Sequence, residues 1–148
     1  MPTVRDLLKS RVDKRIWSLS PEMTLLQALH AMVEHNVGAM PVLEDGCLIG
    51  VLSERDYTRN AVVNGLHTND TPVREAMTRD VITVTMDTAL EDCMRLMSEK
   101  HIRHLPVVEE CQLVSHFSMR DLMQWMIDAQ DSQIHNLQNF IEGTGYGQ

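Results

Sequence analysis

Two stretches of the sequence carry the same pair of polar side chains at the same spacing. Ser53 is followed three residues later by Asp56, and Ser118 is followed three residues later by Asp121. Each pair comes after an apolar stretch, where a strand is expected to end and a helix to begin. A serine at a helix start with an acid three residues on is typical of helix capping. A carboxylate in that place can also accept both hydroxyl groups of a ribose, next to a helix N-terminus that favours phosphate. The two interpretations are compatible, and both stay open here.

A second candidate group consists of two basic residues, Arg103 and His104, just before an apolar stretch. The planar guanidinium of arginine pairs with two phosphate oxygens at once, so it suits a phosphate site. The alternative is an ordinary pair of solvated surface residues. The corresponding positions in the first half of the chain hold Gly38 and Ala39. We therefore expect an anionic ligand to favour the site that Arg103 and His104 line.

The sequence contains no pattern that indicates catalysis or a metal centre. His101 and His104 are three residues apart, but no carboxylate or thiol lies next to them in sequence, and a metal needs more ligands. Cys93 lies on an apolar helical stripe, which favours core packing over a nucleophilic role. A Ser-His-Asp set, a phosphate-binding loop and a nucleophile elbow are all missing. The sequence predicts a protein without enzymatic activity, catalytic cofactor or bound metal.

Composition and charge narrow the class of protein. The chain has 148 residues, 43% of them hydrophobic and 23% charged, as in an ordinary globular domain. Its net charge of −8 argues against nucleic acid and anionic membrane surfaces as partners. No stretch resembles a membrane span or a signal peptide. Three cysteines without a Cys-x-x-Cys spacing predict reduced thiols rather than disulfides or a zinc knuckle, and hence a cytoplasmic protein.

The elements that must position the candidate residues occur twice in the chain. A shift of 65 positions places Pro41 on Pro106 and the first Ser-x-x-Asp on the second. The same shift aligns apolar residues of the two halves: Leu25 with Leu90, Met32 with Met97, and Leu48 with Leu113. Neither half is long enough to close a core alone, so the repeat predicts two units that pack on each other.

Each repeat is predicted to have the order β-α-β-β-α. Asp45-Gly46 is a hairpin-turn signal in the first repeat. The final helix extends to about Ile141, either unbroken or interrupted near 130–132. The predicted strands are 16–19, 39–43, 47–52, 81–85, 105–108 and 113–117, and the predicted helices are 25–35, 90–100 and those that begin after Ser53 and Ser118. The predicted divisions are a first repeat (1–66), a linker (67–72), a second repeat (73–130) and a C-terminal helix with a loose tail (131–148).

The repeated motif resembles the cystathionine β-synthase (CBS) domain. Its Leu/Met-Pro-Val stretch, turn and Ser-x-x-Asp occur at 37–56 and again, in register, at 102–121. Two copies in one chain are typical of a Bateman module, and the layout is similar to stand-alone bacterial CBS-pair proteins. The resemblance covers residues 4 to about 129. It implies an α/β (α+β) fold in which two repeats pack about a pseudo-two-fold axis, with two clefts between them, and a homodimer of such pairs.

The resemblance also implies a ligand and the residues that hold it. Members of the family commonly bind AMP, ADP, ATP, an NAD form or S-adenosylmethionine in the clefts. The acids of the two Ser-x-x-Asp motifs would meet the ribose, and the two basic residues would meet the phosphate. One cleft would be lined, with Asp121, by Trp17, Ser18, Leu19, Val37, Gly38 and Ala39; the other, with Asp56, by Ile82, Thr83, Val84, Ile102, Arg103 and His104.

The second repeat departs from the family pattern at two places. Ser115 and Cys111 stand where the first repeat has Gly50 and Gly46. The favoured hypothesis is a non-enzymatic regulatory module that binds an adenine nucleotide and signals to an effector protein through a change in conformation or dimer geometry. The alternative is a structural protein-interaction module, in which these departures mark degenerate, unoccupied clefts.

Overall fold

The computed structural model describes residues 1–11 and 15–143, so the predicted C-terminal tail lies outside the described residues. The helices are α1 (Val4–Lys9), α2 (Leu25–His35), α3 (Glu54–Tyr57), α4 (Val73–Ala76), α5 (Leu90–Lys100) and α6 (Met119–Ile141), with a π-helical segment at Thr58–Val63. The strands are β1 (Ala39–Glu44), β2 (Cys47–Ser53), β3 (His104–Glu109) and β4 (Gln112–Ser118). The predicted helices at 25–35 and 90–100 are confirmed. Of the two alternatives for the last helix, the structure has the unbroken one.

The four strands form one antiparallel sheet in the order β1-β2-β4-β3. The β1–β2 hairpin turns at Asp45 and Gly46, both with positive φ, 53° and 81°. A two-residue turn of this kind matches the twist of the strands, so the predicted hairpin signal is confirmed. The β3–β4 hairpin turns in the same conformation at Glu110 (φ 48°) and Cys111 (φ 74°), without a glycine. The fold class is the predicted mixture of helices and a small sheet.

The first predicted strand of each repeat is reduced to one bridged residue, Leu19 in the first repeat and Val84 in the second. The N–H of Leu19 donates to the carbonyl of Pro41 at 2.8 Å, and the N–H of Val84 donates to the carbonyl of Pro106 at 3.0 Å. The preceding bond of a parallel ladder would need the N–H of that proline, and proline has none. The prediction of whole strands at these two places is therefore wrong.

The predicted linker attaches to the N-terminus of α2. The carbonyl of Thr71 accepts from the first amide of α2 at 2.9 Å, and the carbonyl of Thr68 accepts from the second at 3.0 Å. Thr24 and Gln27 complete the helix start with a reciprocal capping box. The segment that connects the repeats thus supplies acceptors that the helix start lacks.

The described chain divides into two compact units. One unit contains α1, α5 and α6, and the other contains α2, α3, α4, β1 and β2; β3 and β4 contribute residues to both. The core of the unit with α2 is aliphatic and rich in methionine: Leu19, Leu25, Ala28, Met32, Met40, Val42, Leu52, Ala61, Val73, Ala76 and Met77. The buried side chains of the unit with α6 include Val4, Leu7, Leu90, Cys93, Met97, Leu105, Phe117 and Leu122.

The prediction of reduced thiols is wrong for two of the three cysteines. Cys47 and Cys111 are joined by a disulfide, with their Cα atoms 5.1 Å apart. The pairing of β2 with β4 places Cys47 opposite Gln112, and so beside Cys111. Two hydrogen bonds flank this point: Leu48 N–H donates to the carbonyl of Cys111 at 3.2 Å, and Leu113 N–H donates to the carbonyl of Gly46 at 3.3 Å. Sequence spacing could not show this proximity, because the cysteines lie 64 positions apart.

Gly50 is a position where the backbone of β2 leaves no room for a side chain. A Cβ there would lie 2.6 Å from Sδ of Met77 and 2.9 Å from the backbone carbonyl oxygen of Thr78. We expect Gly50→Ala to lower the free energy of unfolding by about 1–3 kcal/mol in urea denaturation, because the carbonyl cannot move without distorting the strand. Gly38→Ala is the matched control, since a Cβ there meets nothing within 4 Å. An equal loss in both variants would contradict the steric explanation.

The buried thiol of Cys93 should make the free energy of unfolding depend on pH. Burial raises the pKa of its thiol from 9.0 to about 11. Between these values the unfolded chain ionises first, so the stabilisation is complete below about pH 9 and is lost as pH rises towards 11. The stability difference between wild type and Cys93→Ala should shrink by about 1 kcal/mol between pH 8 and pH 10, measured by urea denaturation. A difference that is constant over this range would exclude the effect.

Candidate functional site

Ser53 and Asp56 form a reciprocal cap at the start of α3. Asp56 Oδ2 accepts from the backbone N–H of Ser53 at 2.9 Å and from its hydroxyl at 3.0 Å. The backbone N–H of Asp56 donates to Ser53 Oγ at 3.1 Å. The other carboxylate oxygen, Oδ1, accepts from the hydroxyl of Thr78 at 3.1 Å. Both oxygens of Asp56 are therefore already engaged.

Ser118 and Asp121 repeat this cap at the start of α6, with one difference. Asp121 Oδ2 accepts from the backbone N–H of Ser118 at 2.8 Å, and the backbone N–H of Asp121 donates to Ser118 Oγ at 3.1 Å. The guanidinium of Arg11 lies 3.6 Å from the same Oδ2. No described residue donates a hydrogen bond to Oδ1 of Asp121. Within residues 1–11 and 15–143, this carboxylate therefore has one oxygen without a hydrogen-bond donor, and a cation lies beside it.

A backbone carbonyl from the start of each hairpin completes each cap. The carbonyl of Gly38, just before β1, accepts from the N–H of Glu54 at 2.9 Å. The carbonyl of Arg103, just before β3, accepts from the N–H of Met119 at 2.8 Å. The structure thus brings Gly38 together with Ser53 and Asp56. In the same way it brings Arg103 together with Ser118 and Asp121.

Thr78 and Arg11 are contact residues that the sequence analysis missed. Each lies shortly after the first helix of a repeat, Thr78 after α4 and Arg11 after α1. Their side chains differ in type, so the comparison of the repeats gave no common signal. As a result, one carboxylate meets a neutral hydroxyl and the other meets a positive charge.

Three further second-repeat candidates lie at the entrance to β3. The side chains of Arg103 and His104 are exposed, and Ile102 is half-buried. Their first-repeat counterparts Gly38 and Ala39 offer no charge at the entrance to β1. The predicted difference in charge between the two repeats at these positions is therefore present on the surface of the folded chain.

The candidate residues around the two bridged positions, Leu19 and Val84, and before β1 are partly buried and partly exposed. Leu19 and Val84 are buried, and the N–H and carbonyl of each already bond to a strand. Trp17 is 40% exposed and stacks on His35, with ring centroids 3.8 Å apart and planes 16° apart. No pattern in the sequence indicated this contact of His35. Of the others, Ser18 and Thr83 are exposed, and Val37, Ala39 and Ile82 are half-buried.

The predicted site residues are divided between the two units. The unit with α2 holds Trp17, Ser18, Leu19, Val37, Gly38, Ala39, Ser53, Asp56, Ile82, Thr83 and Val84. The unit with α6 holds Ile102, Arg103, His104, Ser118 and Asp121. Within residues 1–11 and 15–143, no group of three or more His, Cys, Asp or Glu side chains is arranged to hold a metal ion. The same residues contain no helix both long and apolar enough to cross a membrane.

Comparison with known proteins assigns the family. The CBS domain profile matches residues 4–62 and again residues 73–128. The chain is 31% identical over 153 aligned positions to the mitochondrial CBS domain-containing protein CBSX3 of Arabidopsis thaliana, covering 97% of this chain and 73% of the relative. A putative signal-transduction protein with CBS domains from Burkholderia ambifaria has a TM-score of 0.78 at 32% identity, over 87% of this chain and 96% of that one.

A further solved structure shows a relative with its ligand. The crystal structure of CBSX2 in complex with AMP has a TM-score of 0.73 at 26% identity, over 86% of this chain and 98% of that one. The two profile matches include both Ser-x-x-Asp caps and both hairpins. The chain belongs to the CBS domain family and contains two CBS domains.

Proposed function

We propose that this chain is a non-enzymatic regulatory module that binds an adenine nucleotide (AMP, ADP, ATP or an NAD form) at its Ser-x-x-Asp caps. The observation that carries the proposal is Asp121, a carboxylate held at the start of a 23-residue helix, to whose second oxygen no described residue donates a hydrogen bond. The complex of CBSX2 with AMP supports the ligand class. The same proposal includes the predicted cleft lining by the residues around Leu19 and Val84 and by those at the entrance to β3.

The chemistry at the start of α6 suits a nucleotide in two ways. Asp121 Oδ1 can accept hydrogen bonds from ribose hydroxyls while Oδ2 keeps its bond to Ser118. The N-terminus of α6 carries a partial positive charge, and Arg11 adds a full one near the same carboxylate. A phosphate close to this helix start would therefore be stabilised, although the chain as a whole has a net charge of −8.

The two caps differ in the ligand they favour. The sequence predicts that the cleft with Asp56 attracts an anion, because Arg103 and His104 are expected to line it. The contacts favour Asp121, because both oxygens of Asp56 are engaged by Ser53 and Thr78. A ribose at Asp56 would have to replace the hydroxyl of Thr78. We therefore infer that the Asp121 site binds first.

A nucleotide regulates only if it binds two states of the protein with different affinity. We propose that those states differ in conformation or in the geometry of a homodimer, and that an effector protein reads the difference. The ligand at Asp121 contacts the start of α6, so the position of that helix is the quantity expected to change.

The ribose assignment predicts the effect of Asp121→Asn. One amide oxygen can still accept from Ser118 N–H, so the cap is kept, but the second acceptor for the ribose is lost. We expect AMP to bind at least about tenfold more weakly in isothermal titration calorimetry. Asp128→Asn, at an exposed position of the same helix, should leave the affinity unchanged. Asp56→Asn should have a smaller effect, and equal affinities of Asp121→Asn and wild type would exclude the assignment.

The phosphate assignment is tested separately through Arg11. Arg11→Ala should weaken AMP binding about tenfold while changing adenosine binding little, because only AMP carries the charge that the guanidinium meets. Arg5→Ala is the matched control, since Arg5 lies on α1 and pairs with Asp87. A similar loss for AMP and adenosine in Arg11→Ala would show that Arg11 acts on the fold of the site and does not meet phosphate.

The second candidate function is a structural interaction module with empty clefts. The observation that favours it is that capping alone accounts for the observed bonds of Ser53 and Ser118. Mass spectrometry of small molecules that co-purify with the native protein separates the two functions. An adenine nucleotide at stoichiometric amounts supports the sensor; empty protein that also fails to bind AMP, ATP, NADH and S-adenosylmethionine supports the interaction module.

The proposed location in the cytoplasm depends on the state of the cysteines. Disulfides persist mainly in oxidising compartments, so the Cys47–Cys111 bond favours such a compartment. Trapping thiols in intact cells with an alkylating reagent distinguishes the two cases. Alkylation of Cys47 and Cys111 in the native host supports the cytoplasm, and protection of both contradicts it.

A further inference from the structure

The disulfide between Cys47 and Cys111 lies at the surface of the molecule. Cys111 is exposed and Cys47 is half-buried. Thiol–disulfide exchange begins when a thiolate reaches one of the two sulfurs, so access decides which disulfides react, and exposed ones are the labile ones. The third cysteine, Cys93, is buried, and burial raises the pKa of its thiol to about 11, so it is a poor competitor at neutral pH.

Cys111 occupies a turn position that suits glycine better than cysteine. Its φ is 74°, in the left-handed region, and the equivalent turn position of the first repeat holds Gly46 at φ 81°. A side chain at such an angle crowds the backbone, whereas glycine adopts the same angle without this cost. The β3–β4 turn therefore gains nothing from a cysteine here, and the contribution of Cys111 lies in its sulfur.

The disulfide joins the two hairpins where their strand pairing is shortest. β1 and β2 pair at six positions, whereas β2 and β4 pair at one, Cys47 with Gln112. The amides of Leu48 and Leu113 donate the two backbone hydrogen bonds that flank this pair. The disulfide also closes a loop between residues 64 positions apart, which restricts the opened chain. Reduction would leave the β2–β4 junction to a single pair, so local opening there would become easier.

Two carboxylates flank the disulfide. Asp45 lies two residues before Cys47, Glu110 directly precedes Cys111, and both acidic side chains are exposed. Within the described part of the chain neither carboxylate forms an ion pair. No Lys or Arg occurs in either turn. This local field repels an anionic thiolate and attracts a reductant that carries positive charge next to its thiol.

We propose that the Cys47–Cys111 bond is a reversible exchange site for a dithiol reductant whose reactive thiol lies beside positive charge. The first thiolate of the reductant bonds to the exposed sulfur of Cys111, the disulfide breaks, and Cys47 leaves as a thiolate that takes up a proton. The second thiolate of the reductant attacks the mixed disulfide at the reductant's own sulfur and releases Cys111, which also takes up a proton. Two electrons and two protons pass to the chain, and the reductant becomes a disulfide.

This site is independent of the proposed nucleotide site. It assigns to the β2–β4 junction a closed, oxidised form and a looser, reduced form. The two forms differ at the amides of Leu48 and Leu113, which bond across the junction.

Reduction kinetics with two small thiols test the charge preference. Cysteamine carries an ammonium group near its thiol, and 2-mercaptoethanesulfonate carries a sulfonate in the same place. At equal thiolate concentration and low salt, cysteamine should reduce the Cys47–Cys111 bond at least about threefold faster, after division by the ratio of the two rates on bis(2-hydroxyethyl) disulfide. Alkylation followed by mass spectrometry measures the thiols that are released.

Two double variants locate the charge that causes the preference. Asp45→Asn with Glu110→Gln should remove most of it, because both carboxylates beside the disulfide become neutral. Asp128→Asn with Asp131→Asn is the matched control, since it changes the net charge equally at exposed positions of α6 and should keep the wild-type ratio. A wild-type ratio equal to that of the small disulfide, or an equal loss in both double variants, overturns the proposal.

Amide hydrogen exchange followed by NMR tests the effect of reduction on the junction. Reduction should speed hydrogen exchange at Leu48 and Leu113 at least about tenfold, because their bonds cross the junction. The amide of Leu25 is the control and should change little, since it donates to the carbonyl of Thr71. Unchanged hydrogen exchange at Leu48 and Leu113 in the reduced protein would contradict the proposal.

Re-oxidation tests reversibility. Bis(2-hydroxyethyl) disulfide, which is itself reduced to 2-mercaptoethanol, should restore the Cys47–Cys111 bond and the slow hydrogen exchange. Cys47→Ser with Cys111→Ser should match the reduced protein and should not respond to the oxidant. Peptide mapping that finds Cys93 in the re-formed disulfide, or no re-formed bond, would overturn the proposal.

Discussion

The fold depends on the hydrogen bonds that the first backbone N–H groups of a helix make at the point where a strand ends. A helix leaves its first N–H groups without internal partners. At both junctions a serine hydroxyl and a carbonyl from the entrance of the hairpin accept from those groups, while the aspartate accepts from the serine amide. Because the carbonyl precedes the first strand and the serine ends the second, each cap ties the beginning of a hairpin to its exit. The carboxylate that completes each cap is the same group to which we assign the ligand, so folding itself fixes the position of the proposed binding group.

The two domains use this device under different local conditions. Asp56 meets the neutral hydroxyl of Thr78, whereas Asp121 meets the guanidinium of Arg11 and begins a much longer helix. A carboxylate with both oxygens bonded is a poorer acceptor for a new hydroxyl than one with an open oxygen. Duplication therefore produced two caps of similar shape and unequal chemistry. The π-helical segment after α3 adds to the difference, because α6 continues as a regular helix at the corresponding place.

Sequence reasoning predicted the features that local patterns encode. The apolar stripes gave α2 and α5 with their ends, Asp45-Gly46 gave the hairpin turn, and the Ser-x-x-Asp spacing gave both caps. It overestimated the length of the strands before α2 and α5, which are single bridged residues in the structure. Pro41 and Pro106 lack the N–H that would extend these strands, and the sequence does not show which segment pairs with them. It missed Thr78, Arg11 and the Cys47–Cys111 bond, which join residues distant in sequence. Contacts of that kind follow from tertiary packing and leave no periodic signal.

The junction of β2 with β4 has a consequence for how a duplicated chain can diverge. Cys47 faces Gln112, which is its own counterpart 65 positions later, and the two flanking hydrogen bonds exchange under the same shift. The chain therefore meets its copy there across a local two-fold axis. On one side of the axis lies the bond between Cys47 and Cys111; on the other, the amide of Gln112 lies over Gly46, where a Cβ would collide with it. Two separate, identical halves would carry the same residues on both sides and could not build both arrangements at once. Fusion into one polypeptide is what permits unlike chemistry at the symmetry axis.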